Sequence, residues 1–95
     1  MTTTTYPLWT QEKAIAYEAA LEAINDVIAG YSEQIATEGS KDAPDTKRIA
    51  WLEMRTTQAR DVVESLDVND DATVAQALME YSAIVMARDC QQRLQ

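Results

Sequence analysis

Histidine is absent from this chain of 95 residues. Its absence excludes the commonest general base, the commonest metal ligand and every histidine-containing catalytic triad. Di-iron helical bundles, which require Glu-x-x-His pairs, are excluded as well. The two glycines, Gly30 and Gly39, are isolated, so there is no glycine-rich phosphate loop. The sequence therefore predicts a protein that is not an enzyme, with no catalytic residue, no cofactor and no metal.

Cysteine occurs once, at Cys90, which rules out an internal disulfide. Arg88 and Arg93 lie near it in sequence, but without a histidine partner or a helix N-terminus a catalytic thiol is disfavoured. No segment has the pattern of a secretory signal or of a membrane span. A cytoplasmic protein is the default expectation.

Turn-forming residues are also scarce, with two glycines and two prolines, and strand-forming residues do not alternate with polar ones over a useful length. Ninety-five residues suffice for one small domain but not for a core plus a deep substrate cleft. We therefore predict a single all-α domain over residues 1–95, an antiparallel three-helix bundle built on a long helical hairpin. Residues 1–9 are expected to form an extended N-terminal lead.

The first predicted helix covers residues 11–38, with Thr10 as its N-cap and Gly39 as its C′ residue. Gly30 inside it suggests close packing or a slight bend. An apolar stripe follows the helix in alternating steps of three and four residues, which is the heptad pattern of a coiled-coil seam. The stripe consists of Ala14, Tyr17, Leu21, Ile24, Ile28, Tyr31 and Ile35.

The second predicted helix covers residues 44–66, with Pro44 at its first position and Asp42 or Ala43 before it. The short connection makes it an antiparallel neighbour of the first helix. Its seam is Ile49, Leu52, Thr56, Ala59, Val63 and Leu66. A second row, called the Trp51 row, comprises Trp51, Met54, Gln58 and Val62, and the third helix is the obvious candidate to cover it.

The third predicted helix covers residues 71–93 and is capped by Asn69 or Asp70. Its main apolar face comprises Val74, Ala77, Leu78, Tyr81, Ile84 and Val85. A further row, called the methionine row, comprises Met79, Ala83, Met86 and Cys90. This helix is apolar over more of its circumference than one groove buries, so we favour a second protein as the cover of the excess. The predicted partner interface is Trp51, Met54, Met79, Met86 and Cys90.

Asp67, Asn69 and Asp71 imitate the first three ligand positions of a calcium-binding loop. The match then fails, because Ala72 stands where the loop requires glycine and Leu78 where it requires a bidentate glutamate. We interpret the segment as a turn with helix caps.

The formal net charge is −8, from 16 acidic and 8 basic residues, and it disfavours direct binding of nucleic acid or an anionic membrane. Acidic residues recur on the first helix at the spacing of one face. This acidic face comprises Glu18, Glu22, Asp26 and Glu33. Three interpretations are open: a solvated outer face, a set of ion pairs to arginines of a neighbouring helix, or a surface for a basic groove of a partner.

Two functional hypotheses follow. The first is a non-enzymatic acidic helical module for protein–protein interaction, which self-associates or docks on a protein partner through the third helix and the Trp51 row. The alternative is a small acidic inhibitor, of the type that phages and mobile elements encode, which occupies a basic nucleic-acid-binding surface of a host protein. A ligand-binding bundle would need a pocket between Tyr17, Tyr31 and Tyr81, which nothing in the sequence favours.

Overall fold

Three α-helices account for the structure. The computed structural model describes residues 8–93, with side chains from residue 11 onward. α1 spans Leu8–Gly39, α2 spans Thr46–Ser65 and α3 spans Asp71–Arg93. The prediction of an all-α three-helix bundle is confirmed. Residues 1–7 of the predicted extended lead lie outside the described residues, whereas its last two residues, Leu8 and Trp9, are helical.

α1 and α2 run antiparallel, as predicted. The Glu38 side chain meets the backbone of Asp45 at the turn, and the ring of Tyr31 contacts the ring of Trp51 further along the hairpin. Residue numbers therefore fall along α1 as they rise along α2, which is the geometry that a short connection imposes.

α1 and α3 run parallel to each other. Lys13 forms an ion pair with Asp71 near the start of both helices, and Asp26 forms one with Arg88 further along both. α1 packs closely against both other helices, whereas the approach of α2 to α3 is sparse. α1 is therefore the element on which both other helices are assembled.

The buried face of α1 is turned relative to the predicted stripe. Ile24 and Tyr31 of the stripe are buried, but Ala14 is exposed, so that part of the prediction is wrong. Ala20 and Val27, which lie beside the stripe, are buried instead. The physical reason is that α1 is covered from two sides, which centres its buried face between its two neighbours. The remaining stripe residues are half-buried: Tyr17, Leu21, Ile28 and Ile35.

The predicted seam of α2 is confirmed at four of its six residues. Leu52, Thr56, Ala59 and Leu66 are buried, whereas Ile49 and Val63 are half-buried. The hydroxyl of Thr56 donates a hydrogen bond of 2.8 Å to the carbonyl of Leu52, which satisfies the one polar side chain in this seam. On α3 the buried residues are Val74, Ala77 and Tyr81, all from its predicted main face.

Two predicted ends of α1 are wrong. The helix already includes Thr10, so this residue is not the N-cap. Gly39 is the last helical residue and has no left-handed φ, so it is not a C′ glycine. The end of the helix is closed by the N–H of Ser40, which donates to the carbonyl of Ala36.

The start of α2 also differs from the prediction. Its N-cap is Asp45, whose carboxylate accepts the N–H groups of Lys47 and Arg48, each at 3.1 Å. Pro44 therefore precedes the cap and does not occupy the first helical position.

The predicted start of α3 is confirmed. The carboxylate of Asp70 accepts both the N–H and the hydroxyl of Thr73, at 3.2 and 2.8 Å. These bonds lower the pKa of Asp70, since they favour its charged form.

Ile24→Ala should lower the free energy of unfolding by ~2–5 kcal/mol, because Ile24 is fully buried where α1 meets its neighbours. Ile15→Ala is the matched control on the same helix, since Ile15 is 67% exposed, and it should change stability by less than about 0.5 kcal/mol. Urea unfolding followed by circular dichroism measures both. Similar losses for the two variants would contradict the assigned core.

Candidate interaction surfaces

The methionine row faces solvent. Met79 and Met86 are 67% and 71% exposed, and Ala83 and Cys90 between and beyond them are exposed as well. Tyr81 marks the opposite side of α3, where it is buried in the core. At ~100° per residue, Met79 and Met86 lie roughly 140–160° around the helix from Tyr81. The surplus apolar surface predicted for this helix is therefore real and uncovered within the described chain.

The same face of α3 carries little charge. Between Ala72 and Gln91, Glu80 is the one charged residue in the exposed class, and the half-buried Arg88 and Asp89 form an ion pair with each other. The carboxylate of Glu80 accepts a hydrogen bond of 3.0 Å from the amide of Gln76. In a chain of net charge −8, this is an unusually neutral surface.

The Trp51 row is only partly covered. Trp51 is 47% exposed and Met54 is 49% exposed, so the prediction that the third helix covers this row is wrong. Trp51 is instead held by Tyr31 of α1, with ring centroids 6.3 Å apart and planes at 73°, an edge-to-face arrangement. The indole thus has one aromatic partner in the core and is still about half exposed.

The two apolar surfaces are separate. The guanidinium of Arg55 on α2 acts electrostatically on Tyr81, which places α2 on the Tyr81 side of α3. Met79 and Met86 point away from that side. The five residues that the sequence grouped into one interface therefore divide between two surfaces, one on α2 and one, including Cys90, on α3.

The acidic face of α1 is exposed throughout, at Glu18, Glu22, Asp26 and Glu33. Asp26 is engaged: its Oδ1 accepts Nη1 of Arg88 at 3.1 Å. This is the ion pair to an arginine of a neighbouring helix that one interpretation of the face anticipated. Within the described part of the chain, the other three carboxylates have no ion pair.

Gly30 makes room for that ion pair. A Cβ added at Gly30 would lie 3.0 Å from Nη1 of Arg88, closer than ordinary van der Waals contact. Arg88 also donates from Nε and Nη2 to Asp89, at 3.1 Å each. Its guanidinium therefore lies against α1 at the glycine, in agreement with the packing interpretation of Gly30.

Glu38, which the sequence analysis did not single out, is the one buried acid of the described chain, at 7% exposure. Its Oε2 accepts the N–H of Asp45 at 3.1 Å, and its Oε1 accepts Nζ of Lys41 at 3.0 Å. Nε of Arg48 lies 3.9 Å from the same Oε1. The carboxylate thus joins the end of α1 to the start of α2.

The bonds to Glu38 lower its pKa. The largest cause is the backbone hydrogen bond from Asp45, followed by that from Lys41, and these outweigh the desolvation that raises it. The available signal in the sequence was an acid at a helix end followed by three cations within ten residues. Carboxylates at a helix C-terminus are unfavourable without such partners, which is why the position did not stand out.

A polar groove of about 610 Å³ lies beside Gly30 and Glu38, between the C-terminal parts of α1 and α3 and the start of α2. Each of the three cations lining it, Lys41, Arg48 and Arg88, is already hydrogen-bonded to a side chain of this chain. A second groove of about 300 Å³ lies between the first turns of α1 and α3. Tyr31 and Tyr81, which a ligand-binding bundle would place around a pocket, are core residues.

The turn between α2 and α3 is closed by its own hydrogen bonds. Asp67 accepts the N–H of Asn69 at 2.9 Å, and Asp70 is occupied as the cap of α3. Among the described residues, no group of three or more acidic or cysteine side chains is arranged to hold a metal ion. The same described helices include none long and apolar enough to cross a membrane.

Compared with known proteins, the chain matches no family model, no curated protein and no solved structure. The surfaces described above are therefore interpreted from their own geometry and chemistry.

Glu38→Gln should destabilise the protein at neutral pH and progressively less in acid. A folded-state pKa below the ordinary value means that the stabilisation by Glu38 is complete above about pH 4–5 and is lost as the pH falls through the lowered pKa. Urea midpoints at pH 7, 5 and 3 measure the difference from the wild type. Glu33→Gln is the control, an exposed acid of the same helix. A loss that is equal at all three pH values would contradict the assignment.

Proposed function

We propose that this chain is a non-enzymatic acidic helical module for protein–protein interaction, which self-associates or docks on a protein partner through α3 and the Trp51 row. The observation that supports it is the exposure of Met79 and Met86 on a helix whose opposite side packs into the core. These two side chains are not part of the core, so the folding of a single chain does not explain why apolar residues occupy these positions.

The energetics favour covering them. Full burial of a large apolar side chain is worth about 1.5–3 kcal/mol, and methionine adapts its shape to the surface it meets. A small domain hides a limited share of its surface on folding, so added burial matters more than in a large one. Trp51 adds a second anchor, because tryptophan and methionine are enriched in the buried centres of interfaces.

The contacts of Arg88 support a non-enzymatic role. It is turned onto Asp26 and Asp89, and at ~100° per residue Cys90 lies roughly 160° around α3 from it. The exposed thiol thus has neither this arginine nor any histidine beside it to activate it. We place the module in the cytoplasm, where an exposed unpaired cysteine persists in reduced form.

The double substitution of Met79→Glu and Met86→Glu should abolish partner capture without unfolding the chain. Tagged protein is cross-linked in cell extract, and captured chains are quantified against wild type. Ile15→Glu is the matched control, since Ile15 is as exposed as Met79 but lies on the outer side of α1. Capture should fall more than about tenfold for the double variant, the loss expected when a hot-spot contact is removed. If the variant with Met79→Glu and Met86→Glu captures as much partner as the wild type, the proposed role of α3 is wrong.

The alternative is the acidic inhibitor, which occupies a basic nucleic-acid-binding surface of a host protein. Its support is the exposure of Glu18, Glu22 and Glu33 along one side of α1 without ion pairs among the described residues. Free carboxylates in a row attract a cationic groove without first having to break internal pairs.

Charge reversal separates this alternative from the first proposal. Glu18→Lys with Glu22→Lys is the informative pair, because Asp26 holds Arg88 and its reversal would disturb the fold. If α1 mimics nucleic acid, capture of a basic partner should be lost in this variant and should fall steeply with salt in the wild type. Glu53→Lys with Glu64→Lys, on exposed positions of α2, is the control. Binding that is unaffected and independent of salt would exclude electrostatic mimicry.

A further inference from the structure

We infer that the methionine row is occupied by a second copy of this chain, with the two α3 helices packed antiparallel across Ala83. The inference rests on the proposed function and commits it to one partner and one geometry. Three features carry it: the spacing of the row, its lack of charge and the unequal charge of the two ends of the bundle.

The row has the spacing of a helix–helix seam. Extended by Ala75, its members follow one another at steps of four, four, three and four residues, so they lie on one face. Ala83 is at the centre of this face, and its small side chain lets two backbones approach closely. An antiparallel pairing about Ala83 places Met79 of one copy beside Met86 and Ala87 of the second copy. Met79 then packs over Ala87 of the second copy, and Met86 lies beside Glu80 of the second copy.

The absence of charge favours an identical partner. Two copies of a chain with net charge −8 repel each other unless their contact avoids the acids. α1 presents acids along its outer face, and α2 presents exposed acids and bases together. On α3 between Ala72 and Gln91, Glu80 is the one exposed charged residue, and the charge of the half-buried Asp89 is balanced by Arg88 at 3.1 Å. The exposed face of α3 is the face on which a second copy brings the fewest like charges together.

The two ends of the bundle differ in charge. Up to the middle of the bundle, the end where α1 and α3 begin holds nine carboxylates and two cations, net −7. They are Glu12, Glu18, Glu22, Asp61, Glu64, Asp67, Asp70, Asp71 and Glu80, with Lys13 and Arg60. The opposite end holds seven carboxylates and six cations, net −1. They are Asp26, Glu33, Glu38, Asp42, Asp45, Glu53 and Asp89, with Lys41, Lys47, Arg48, Arg55, Arg88 and Arg93.

This difference selects the antiparallel arrangement. Parallel pairing would set one acidic end against the other, whereas antiparallel pairing sets each acidic end beside the end that holds most of the cations. Interfaces are oriented by such complementarity. A two-fold axis through Ala83 also makes the contact self-complementary, as a closed dimer requires.

The size of the face sets the expected affinity. One helix face of about 20 residues is ~30 Å long, which places the interface at the low end of the size range for specific complexes. We therefore expect a dimer that dissociates at micromolar concentration. Sedimentation of the full-length chain over roughly 1 to 500 μM should show the mass doubling within this range. Met79→Glu with Met86→Glu should remain monomeric throughout, and Ile15→Glu should behave as the wild type.

Cysteine cross-linking tests the geometry. In the antiparallel dimer the two copies of Cys90 lie about 20 Å apart along the axis, too far for a disulfide. Ala83→Cys in a Cys90→Ser background brings the two thiols together at the axis. Under mild oxidation it should form a disulfide-linked dimer at least about tenfold faster than the wild type, because the paired thiols have a high effective concentration. Ala29→Cys with Cys90→Ser, on the exposed side of α1, is the control and should remain slow.

Each other outcome overturns the inference. A mass that stays monomeric at every concentration excludes the second copy. Wild-type Cys90 that cross-links as fast as Ala83→Cys shows parallel pairing. A dimer that persists when Met79 and Met86 are both replaced by glutamate lies elsewhere on the molecule. If the chain is monomeric but its capture of a different protein still requires Met79 and Met86, the proposed function survives and the homodimer does not.

Discussion

The packing of α1 between two other helices is the constraint on which the rest of the structure depends. Ile24, Ala20 and Val27 are buried because α2 and α3 lie on either side of them, and α2 and α3 approach each other much less closely. α2 and α3 are therefore each covered by another helix on one side only. For this reason Trp51 on α2 is about half exposed, and the methionine row of α3 lies outside the core.

Periodicity predicted the fold well where a helix has a single main neighbour. The seam of α2 agrees with its predicted row because α2 packs chiefly against α1. The stripe of α1 was displaced because a residue between two neighbours is buried more deeply than one that faces either alone. Ala14 illustrates the difference: it keeps the heptad spacing but is exposed. The spacing of apolar residues along a helix does not show on which side a second helix will pack.

The candidate surfaces were predictable to a different degree. The exposure of Met79 and Met86 follows from counting how much of the circumference of α3 is apolar, which is a local property. The separation of Trp51 from the methionine row depends on where α3 packs relative to α2. No pattern within either helix predicts that position. The same holds for the pairing of Asp26 with Arg88, whose positions are 62 residues apart. At the first turn, Asp45 became the cap because it satisfies two N–H groups while Glu38 accepts its own, a reciprocal set of bonds that is visible only in three dimensions.

The residue at position 30 of α1 affects which side chain fits at position 88 of α3. Alanine there would make α1 a better helix on its own, since glycine is the weaker helix former by about 1 kcal/mol. It would also bring a methyl group to within 3.0 Å of the guanidinium that attaches α3. The two positions are thus coupled. An alanine at 30 is accommodated when the end of the Arg88 side chain moves by a few tenths of an ångström, so a change at 30 acts first on the contact between α3 and α1.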